Sequence, residues 1–300
     1  MRPLSISTAL FDGYPMADAL AAITQAGFTY VEPAFIKGYV DFDESAFAPE
    51  AAKAAAHEIR RHGLSVIAMS AHVDFGAEIA VEMVRRRVAY AATIGARFLI
   101  TNTTTRDRAD AFRRNLDAVL PDCERSGIVL ALENPGHGRN DLIGNGVEGV
   151  TLVQAIGSDW VRLNYDFGNI FTYSHEAVLP EKDFAAALPW MAHGHLKDVR
   201  ATEDGWTFTP VGDGSIRYDL IAPQLARLAP ELPVSLELPL RLRRPGRRDP
   251  IRERPPLDVA AISDAITRSV TYWRAIDRLD AADHTTGPGM GRQIGRSDRI

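Results

Sequence analysis

Five glycines divide the first half of the chain into units of similar length, and this spacing limits the fold more than any other feature. An amphipathic segment stops at each glycine, and a short apolar run follows within a few residues. Glycine just past a helix adopts a left-handed conformation that other residues resist, so each position predicts a helix end. The intervals of 30 to 36 residues match one strand plus one helix. The glycines are Gly27, Gly63, Gly95, Gly127 and Gly157.

Eight short apolar runs predict strands, and helical patterns such as the shared face of Met16, Leu20 and Ile23 separate them. The runs are LSIST from Leu4, TYVEP from Thr29, LSVIAMS from Leu64, RFLIT from Arg97, IVLAL from Ile128, VRLNYD from Val161, MAHGHL from Met191 and VSLEL from Val234. Eight strands that alternate with helices predict an α/β protein of the (β/α)₈ TIM-barrel class. An open doubly wound sheet is the alternative, but STALFDGYP after the first strand has no glycine-rich phosphate loop.

The barrel is predicted to fill residues 1–280 as a single domain, with a last helix from about Leu257 to Ile276. Residues 281–300 are polar, rich in glycine and without periodicity, which is typical of a flexible C-terminal tail.

Composition narrows the class of partner. The 300 residues are 46% hydrophobic and 24% charged, and the net charge of -5 gives no general attraction to nucleic acid or anionic membranes. A small-molecule substrate is therefore expected. A single cysteine, Cys123, excludes an intrachain disulfide, and no signal peptide or membrane span is recognisable. We expect a cytoplasmic protein, and the sequence leaves open whether it forms a homo-oligomer.

Four consecutive predicted strands end on side chains that can bind a metal ion. Glu133 closes the fifth strand, Asp166 the sixth, His195 the seventh and Glu237 the eighth. Active sites of TIM barrels lie at the C-terminal ends of the strands, so these four residues should meet there. Three carboxylates and an imidazole predict one divalent ion, with Mn²⁺ preferred and Mg²⁺, Co²⁺ and Zn²⁺ as alternatives.

These strand ends carry a resemblance to a known family. The motifs ALENPG, YDFGN, HGHLKD and SLEL, together with VGDGS from Val211, resemble those of the xylose-isomerase-like TIM-barrel superfamily. The resemblance extends from Leu4 to Ile276 and implies a single metal ion held by Glu133, Asp166, His195 and Glu237. It also implies that the second histidine of HGHLKD is the ligand, which leaves His193 to pack beside it or support it.

The superfamily includes ketose 3-epimerases, hydroxypyruvate isomerases and dehydratases of inosose and 3-dehydroshikimate. The resemblance therefore implies a metal-dependent isomerase or epimerase that acts on a ketose or a related sugar, which could be phosphorylated or acidic. Glu133 and Glu237 would exchange a proton with substrate through a metal-stabilised enediolate. A dehydratase that expels a hydroxyl group from a cyclic ketone or ketoacid is the alternative.

DNA repair of the endonuclease IV type is disfavoured. That enzyme resembles this chain in fold but uses extra histidines to hold three zinc ions. Asn169 stands at one of those histidine positions, and no Asp-x-His pair occurs between Lys197 and Gly212.

A further set of polar residues occupies probable mouth positions and is predicted to bind substrate. These residues are Glu32, His72, Asn102, His137, Asn169, Lys197 and Arg241. Arg241 opens the stretch RLRRPGRRDPIRERPP, which holds seven arginines between Arg241 and Arg254. Three interpretations stay open for this stretch: a solvated loop paired with its own acidic residues, a clamp for an anionic substrate, and a subunit interface.

Overall fold

A closed parallel β-barrel forms the centre of the computed structural model, which describes residues 2–134 and 140–278. The predicted tail, residues 281–300, lies outside the described residues. The strands are β1 (Leu4–Ser7), β2 (Tyr30–Glu32), β3 (Ala34–Phe35), β4 (Ser65–Val66), β5 (Ala68–Ala71), β6 (Phe98–Asn102), β7 (Val129–Glu133), β8 (Val161–Asp166), β9 (Met191–Leu196), β10 (Asp198–Thr202), β11 (Gly205–Thr209), β12 (Val234–Leu236), β13 (Leu242–Pro245) and β14 (Ile251–Arg252).

Ten of these strands make the barrel and occupy its eight strand positions. The sheet order is β3-β5-β6-β7-β8-β9-β12-β1-β2-β4, and its pairs are parallel. The second predicted strand is divided into β2 and β3 at Pro33, which has no N–H to donate to a ladder. The third is divided into β4 and β5, and because β2 pairs with β4 and β3 with β5, the barrel closes. The predicted TIM barrel is confirmed.

Helices follow the strands and cover the outside of the barrel. They are α1 (Met16–Gln25), α2 (Pro49–Arg61), α3 (Ala80–Ile94), α4 (Ala109–Ser126), α5 (Gly146–Ile156), α6 (Phe167–Tyr173), α7 (Pro180–Ala187), α8 (Tyr218–Leu228) and α9 (Val259–Ile276). The glycine spacing predicted the helix ends correctly: Gly95 and Gly127 cap α3 and α4 with φ of +83° and +67°. The predicted last helix begins at Val259, two residues later than expected.

The main core lies between the barrel and its helices, whereas the residues inside the barrel change from apolar to polar along its axis. One small apolar cluster of strand residues is separate from the main core, and it consists of Ala68, Phe98, Ile100, Ala131 and Ala192. Towards the C-terminal ends of the strands, several buried residues are polar or charged, among them Glu32, Glu133, Asp166 and His195. Because a barrel interior is ordinarily filled with branched apolar side chains, this end of the barrel is the predicted location of the functional site.

A second, antiparallel sheet follows the barrel strands β9 and β12 in sequence. Its order is β10-β11-β13-β14. The arginine-rich stretch supplies the short strands β13 and β14. Arg243 on β13 is exposed and pairs with Glu253 of the same stretch, as the first interpretation predicted. We call these four strands the lid sheet.

No helix within residues 2–134 and 140–278 is both long enough and apolar enough to cross a membrane.

Candidate metal and substrate site

The four predicted ligands lie on neighbouring strands of the barrel. Glu133, Asp166 and His195 end or nearly end β7, β8 and β9, and Glu237 directly follows β12. The parallel register places Asp166 opposite His195. Each of the four side chains is buried. The fold therefore gathers residues separated by more than a hundred positions into one site.

Three carboxylates converge on one atom of His195. Its Nδ1 lies 3.0 Å from Glu133 Oε2, 3.4 Å from Glu237 Oε2 and 3.7 Å from Asp166 Oδ2. Ligand atoms of Glu133, Asp166 and His195 all lie within 4.8 Å of one another, as expected for residues that can share an ion. A second such group, formed by Glu32, His193 and His195, lies on the other side of the His195 ring.

Lys197 neutralises part of this negative charge. Its Nζ lies 2.6 Å from Asp166 Oδ2 and 2.5 Å from Glu237 Oε2, and all three side chains are fully buried. Neither oxygen of Glu237 has a hydrogen-bond partner among the described residues, although the ammonium lies beside Oε2. Glu133, Asp166 and Glu237 together carry more negative charge than one ammonium can neutralise, and buried charge is costly unless it is paired, so the site fits an additional cation.

The two glutamates that were predicted to exchange protons differ in their pKa values. Burial raises the pKa of Glu237 to about 7, because it outweighs the attraction of Lys197 and His195. Burial acts on Glu133 in the same direction, but His72 and His195 outweigh it and hold the pKa of Glu133 well below its usual value. The site thus contains one carboxylate that readily takes up a proton and one that stays ionised.

A cavity of about 460 Å³ opens onto these residues, a size that suits a small-molecule ligand. Its walls consist of Ile36, Lys37, Tyr39, His72, Asp74, Asn102, Glu133, Asn169, Tyr173, Lys197, Glu237, Asp249 and Pro250. Polar atoms that have no hydrogen-bond partner among the described residues belong to this wall, namely His72 Nε2, Asn102 Oδ1 and both oxygens of Glu237. The oxygen atoms among them can accept hydrogen bonds from the hydroxyl groups of a ligand.

The structure brings four of the predicted substrate residues to this cavity: His72, Asn102, Asn169 and Lys197. Asn169 donates from Nδ2 to Glu133 Oε1 at 2.9 Å, so it also orients a predicted ligand. His137 lies outside the described residues.

Two predicted substrate residues are not brought to the cavity. Glu32 is fully buried inside the barrel and contacts His195 Nε2 at 3.1 Å. Arg241 Nη1 donates to Asp12 Oδ2 at 2.7 Å, and its Nε donates to the Glu253 carbonyl. Arg241 therefore connects the lid sheet to the loop after β1 and is not part of the cavity wall.

The sequence analysis missed several residues of the cavity wall. Tyr39 and Tyr173 are the largest, and both are half-buried. Tyr173 lies at the end of α6, seven residues after Asp166, where no motif marks it. Asp249 reaches the wall from the arginine-rich stretch, which only the folded lid sheet brings to the mouth.

Backbone N–H groups of the VGDGS motif surround the carboxylate of Asp198. The carboxylate of Asp198 accepts hydrogen bonds from the backbone N–H groups of Val199, Gly212, Gly214 and Ile216. A Cβ on Gly214 would collide with that carboxylate. Asp198 and the glycine-rich turn therefore form one unit beside the barrel mouth.

Comparison with known proteins identifies the family of this chain. Residues 20–256 match the family model described as Xylose isomerase-like TIM barrel. The chain belongs to this family. No curated protein matches the sequence.

Solved structures share the fold at low sequence identity. D-psicose 3-epimerase from Clostridium cellulolyticum H10, solved with D-tagatose, has a TM-score of 0.72 at 12% identity, and the alignment covers 92% of this chain and 100% of that chain. A probable 3-DHS dehydratase from Bacillus anthracis has a TM-score of 0.66 at 14% identity, with 91% and 99% covered. A xylose isomerase-like TIM barrel protein from Mycobacterium smegmatis, in complex with magnesium, has a TM-score of 0.68 at 15% identity, with 93% and 98% covered.

Proposed function

We propose that this protein is a divalent-metal-dependent isomerase or epimerase of a ketose or a related sugar. The observation that carries the proposal is the convergence of Glu133, Asp166 and Glu237 on His195 Nδ1, at the floor of a cavity. In its wall, His72 Nε2 and Asn102 Oδ1 have no hydrogen-bond partner among the described residues. The names of similar solved structures include a ketose epimerase, which supports this class of reaction. A cytoplasmic location and a small-molecule substrate complete the proposal.

The residues present fit one divalent cation. Glu133, Asp166, His195 and Glu237 would hold it, since carboxylate oxygens with one imidazole suit Mn²⁺, Mg²⁺ or Co²⁺ and leave Zn²⁺ as an alternative. When bound, such an ion polarises a substrate carbonyl and makes the hydrogen on the adjacent carbon more acidic.

Glu133 and Glu237 are the residues proposed to move that proton. Their strands are separated by β8 and β9 in the barrel, so the two side chains approach the cavity from different directions. A base on one face of the substrate and an acid on the other allow a proton to leave one face and return to the opposite face, as epimerisation requires. His72, Asn102, Asn169 and Lys197 would orient the substrate hydroxyl groups.

A dehydratase is the second candidate. It is supported by the similarity to the probable dehydratase from Bacillus anthracis and by the same metal-binding residues. The two reactions share proton abstraction and differ in the next step, because the dehydratase expels a hydroxyl group as water.

The test is an NMR screen of ketoses, keto acids and inososes in D₂O with Mn²⁺ added during the reaction and removed before the spectra. We expect deuterium at one carbon of the substrate, accompanied by an epimer or isomer. A product that lacks one water, with no epimer, would select the dehydratase. No exchange into any member of the screen would contradict both candidates.

The matched variants are Glu133→Gln and Glu237→Gln, which preserve side-chain size but cannot act as carboxylate bases. Each is expected to lower the exchange rate by a factor of about 10² to 10⁴, which is the usual range for general acid–base catalysis. Exchange at the wild-type rate in either variant would remove that residue from the mechanism.

A further inference from the structure

A network of buried polar side chains lies inside the barrel, next to the metal-binding residues. Glu32, Ser70, Asn164, His193 and Ser235 come from different barrel strands and are fully buried. Barrel interiors are ordinarily apolar, and each buried polar group is costly unless it is hydrogen-bonded. A set of this size is consistent with a functional role.

Glu32 is the acceptor at the centre of this network. Its Oε1 accepts from Ser70 Oγ at 2.9 Å, and its Oε2 accepts from the hydroxyl of Ser235. The Nε2 of His195 lies 3.1 Å and 3.2 Å from its two oxygens. His195 therefore stands between Glu32 on its Nε2 side and the three metal-binding carboxylates on its Nδ1 side.

Asn164 and His193 fix the direction of the remaining hydrogen bonds. The Glu133 carboxylate can only accept, so the Asn164 amide must turn its NH₂ group towards Glu133 Oε2, at 2.8 Å. The Asn164 Oδ1 atom then faces His193 Nδ1 at 2.9 Å, which makes this nitrogen the donor. The second N–H of the Asn164 amide lies near His195 Nδ1, at 3.1 Å, which suits an Nδ1 that carries a lone pair.

Both nitrogens of the His195 ring face carboxylates: Nε2 faces Glu32, and Nδ1 lies 3.0 Å from Glu133 Oε2. If a divalent ion binds at Nδ1 in place of a proton, the contact with Glu32 would keep the remaining proton on Nε2 and direct the Nδ1 lone pair to the ion. Histidines that bind metals are commonly held in this way by a carboxylate or carbonyl on the other nitrogen.

We propose that Glu32 is a positioning residue: it holds the His195 imidazole by Nε2 so that the Nδ1 lone pair faces Glu133, Asp166 and Glu237. This inference rests on the proposed function, because it concerns the binding of a divalent ion at Nδ1. It replaces the sequence-based expectation that Glu32 contacts substrate. Asn164 has a supporting part, since it orients Glu133 and His193 together.

The experiment measures Mn²⁺ binding to the full chain by electron paramagnetic resonance of the free ion. The variants are Glu32→Ala, which removes the acceptor, and Glu32→Gln, which keeps an uncharged acceptor. Loss of a residue that orients a metal ligand commonly weakens metal affinity by about 10- to 100-fold. We expect Kd to rise towards about 100-fold for Glu32→Ala and nearer to about 10-fold for Glu32→Gln.

A second readout follows the ring itself. In ¹⁵N–¹H correlation spectra of the Mg²⁺-loaded wild type, His195 should show a protonated Nε2, and in Glu32→Ala this signal should shift or exchange with solvent. A purely structural role would leave the signal in place in every variant that folds.

The matched control is Asp198→Asn, because Asp198 is another buried carboxylate near the mouth, and its hydrogen bonds go to backbone N–H groups. It is expected to lower stability and leave Kd for Mn²⁺ within about twofold. Glu32→Gln that binds Mn²⁺ as tightly as the wild type, with an unchanged His195 signal, would overturn the inference alone. A wild type that binds no Mn²⁺ would overturn the proposed function and this inference together.

Discussion

Lys197 is expected to affect both the binding of a metal ion and the stability of the protein. Its ammonium contacts Asp166 and Glu237, the same carboxylates that a metal ion would share, and these contacts, against the opposing effect of burial, raise its pKa well above the usual value. A divalent ion at the proposed site would therefore bind beside a positive charge. The ammonium stabilises the carboxylates when they hold no ion and competes with the ion for them.

The variant Lys197→Met tests this competition, because methionine keeps much of the length of the side chain without the charge. Loss of one partner of a buried ion pair costs about 3 to 5 kcal/mol, so the metal-free variant should unfold at lower temperature than the wild type. Mn²⁺ should bind more tightly to the variant and raise its melting temperature by more than it raises that of the wild type.

Calorimetry in EDTA and in excess Mn²⁺ gives both quantities. Arg106→Met is a suitable control, because Arg106 forms an exposed ion pair with Glu148. A Lys197→Met variant with weaker Mn²⁺ binding than the wild type would show that Lys197 supports the ion instead of competing with it.

At the residue scale, the sequence predicted which residues come together better than it predicted their individual contacts. The four proposed ligands could be selected because each lies at or beside the end of a strand, and strand ends are visible in the sequence. The position of Glu32 could not be recognised in this way. It ends a strand like the others, but its side chain turns to His195 Nε2 inside the barrel, and this depends on the stagger between β1 and β2.

The lid sheet is the element that the sequence predicted least well. Arg244 on β13 is buried, its guanidinium lies 4.2 Å from the ring centre of Tyr173 and 5.0 Å from that of Trp206, and its Nε donates to the carbonyl of Arg248. Trp206 donates in turn to Glu176. Because Tyr173 forms part of the cavity wall, Arg244 connects the lid sheet to the site.

Two arginines of β13 should therefore differ sharply in their contribution to stability. Arg244→Ala is expected to lower the free energy of unfolding by about 2 kcal/mol, since a desolvated cation–π contact is worth that much. Arg243→Ala should change it by less than about 0.5 kcal/mol, because Arg243 is exposed and pairs with Glu253 at the surface. Urea denaturation of the two variants measures both values, and equal effects would exclude this role for Arg244.

The sequence could not predict β13 and β14 of this sheet, because these strands are short and half of their residues are arginines. Leu242 and Ile251 are the apolar residues on β13 and β14, and alternation with arginine resembles a solvated loop. Pairing of β13 with β11 is a contact across some forty residues, so local patterns do not reveal it. The barrel strands, in contrast, could be predicted because their apolar runs recur at regular spacing.

At the scale of the whole molecule, the proposed metal site joins strands that are far apart in the sequence. The proposed ligands extend from β7 to the residue after β12, so a bound ion would tie together one side of the barrel. An ion that binds only the folded state stabilises it by about 2.7 kcal/mol at 100 times its Kd.

Cys123 offers a chemical probe of the folded state, because it is fully buried in α4, and burial raises the pKa of its thiol to about 12.

The last prediction follows from this linkage. Mn²⁺ at 100 times its Kd should raise the melting temperature by roughly 5 to 10 °C, and EDTA should reverse the change. A thiol reagent near pH 8 should react with Cys123 only when the protein unfolds, because a buried protonated thiol is not a nucleophile. The reaction should therefore slow by about 100-fold when the ion is present. Asp166→Asn is the control, since it removes one proposed ligand and should abolish both effects. A melting temperature that Mn²⁺ does not move, with unchanged labelling of Cys123, would contradict metal binding by the folded barrel.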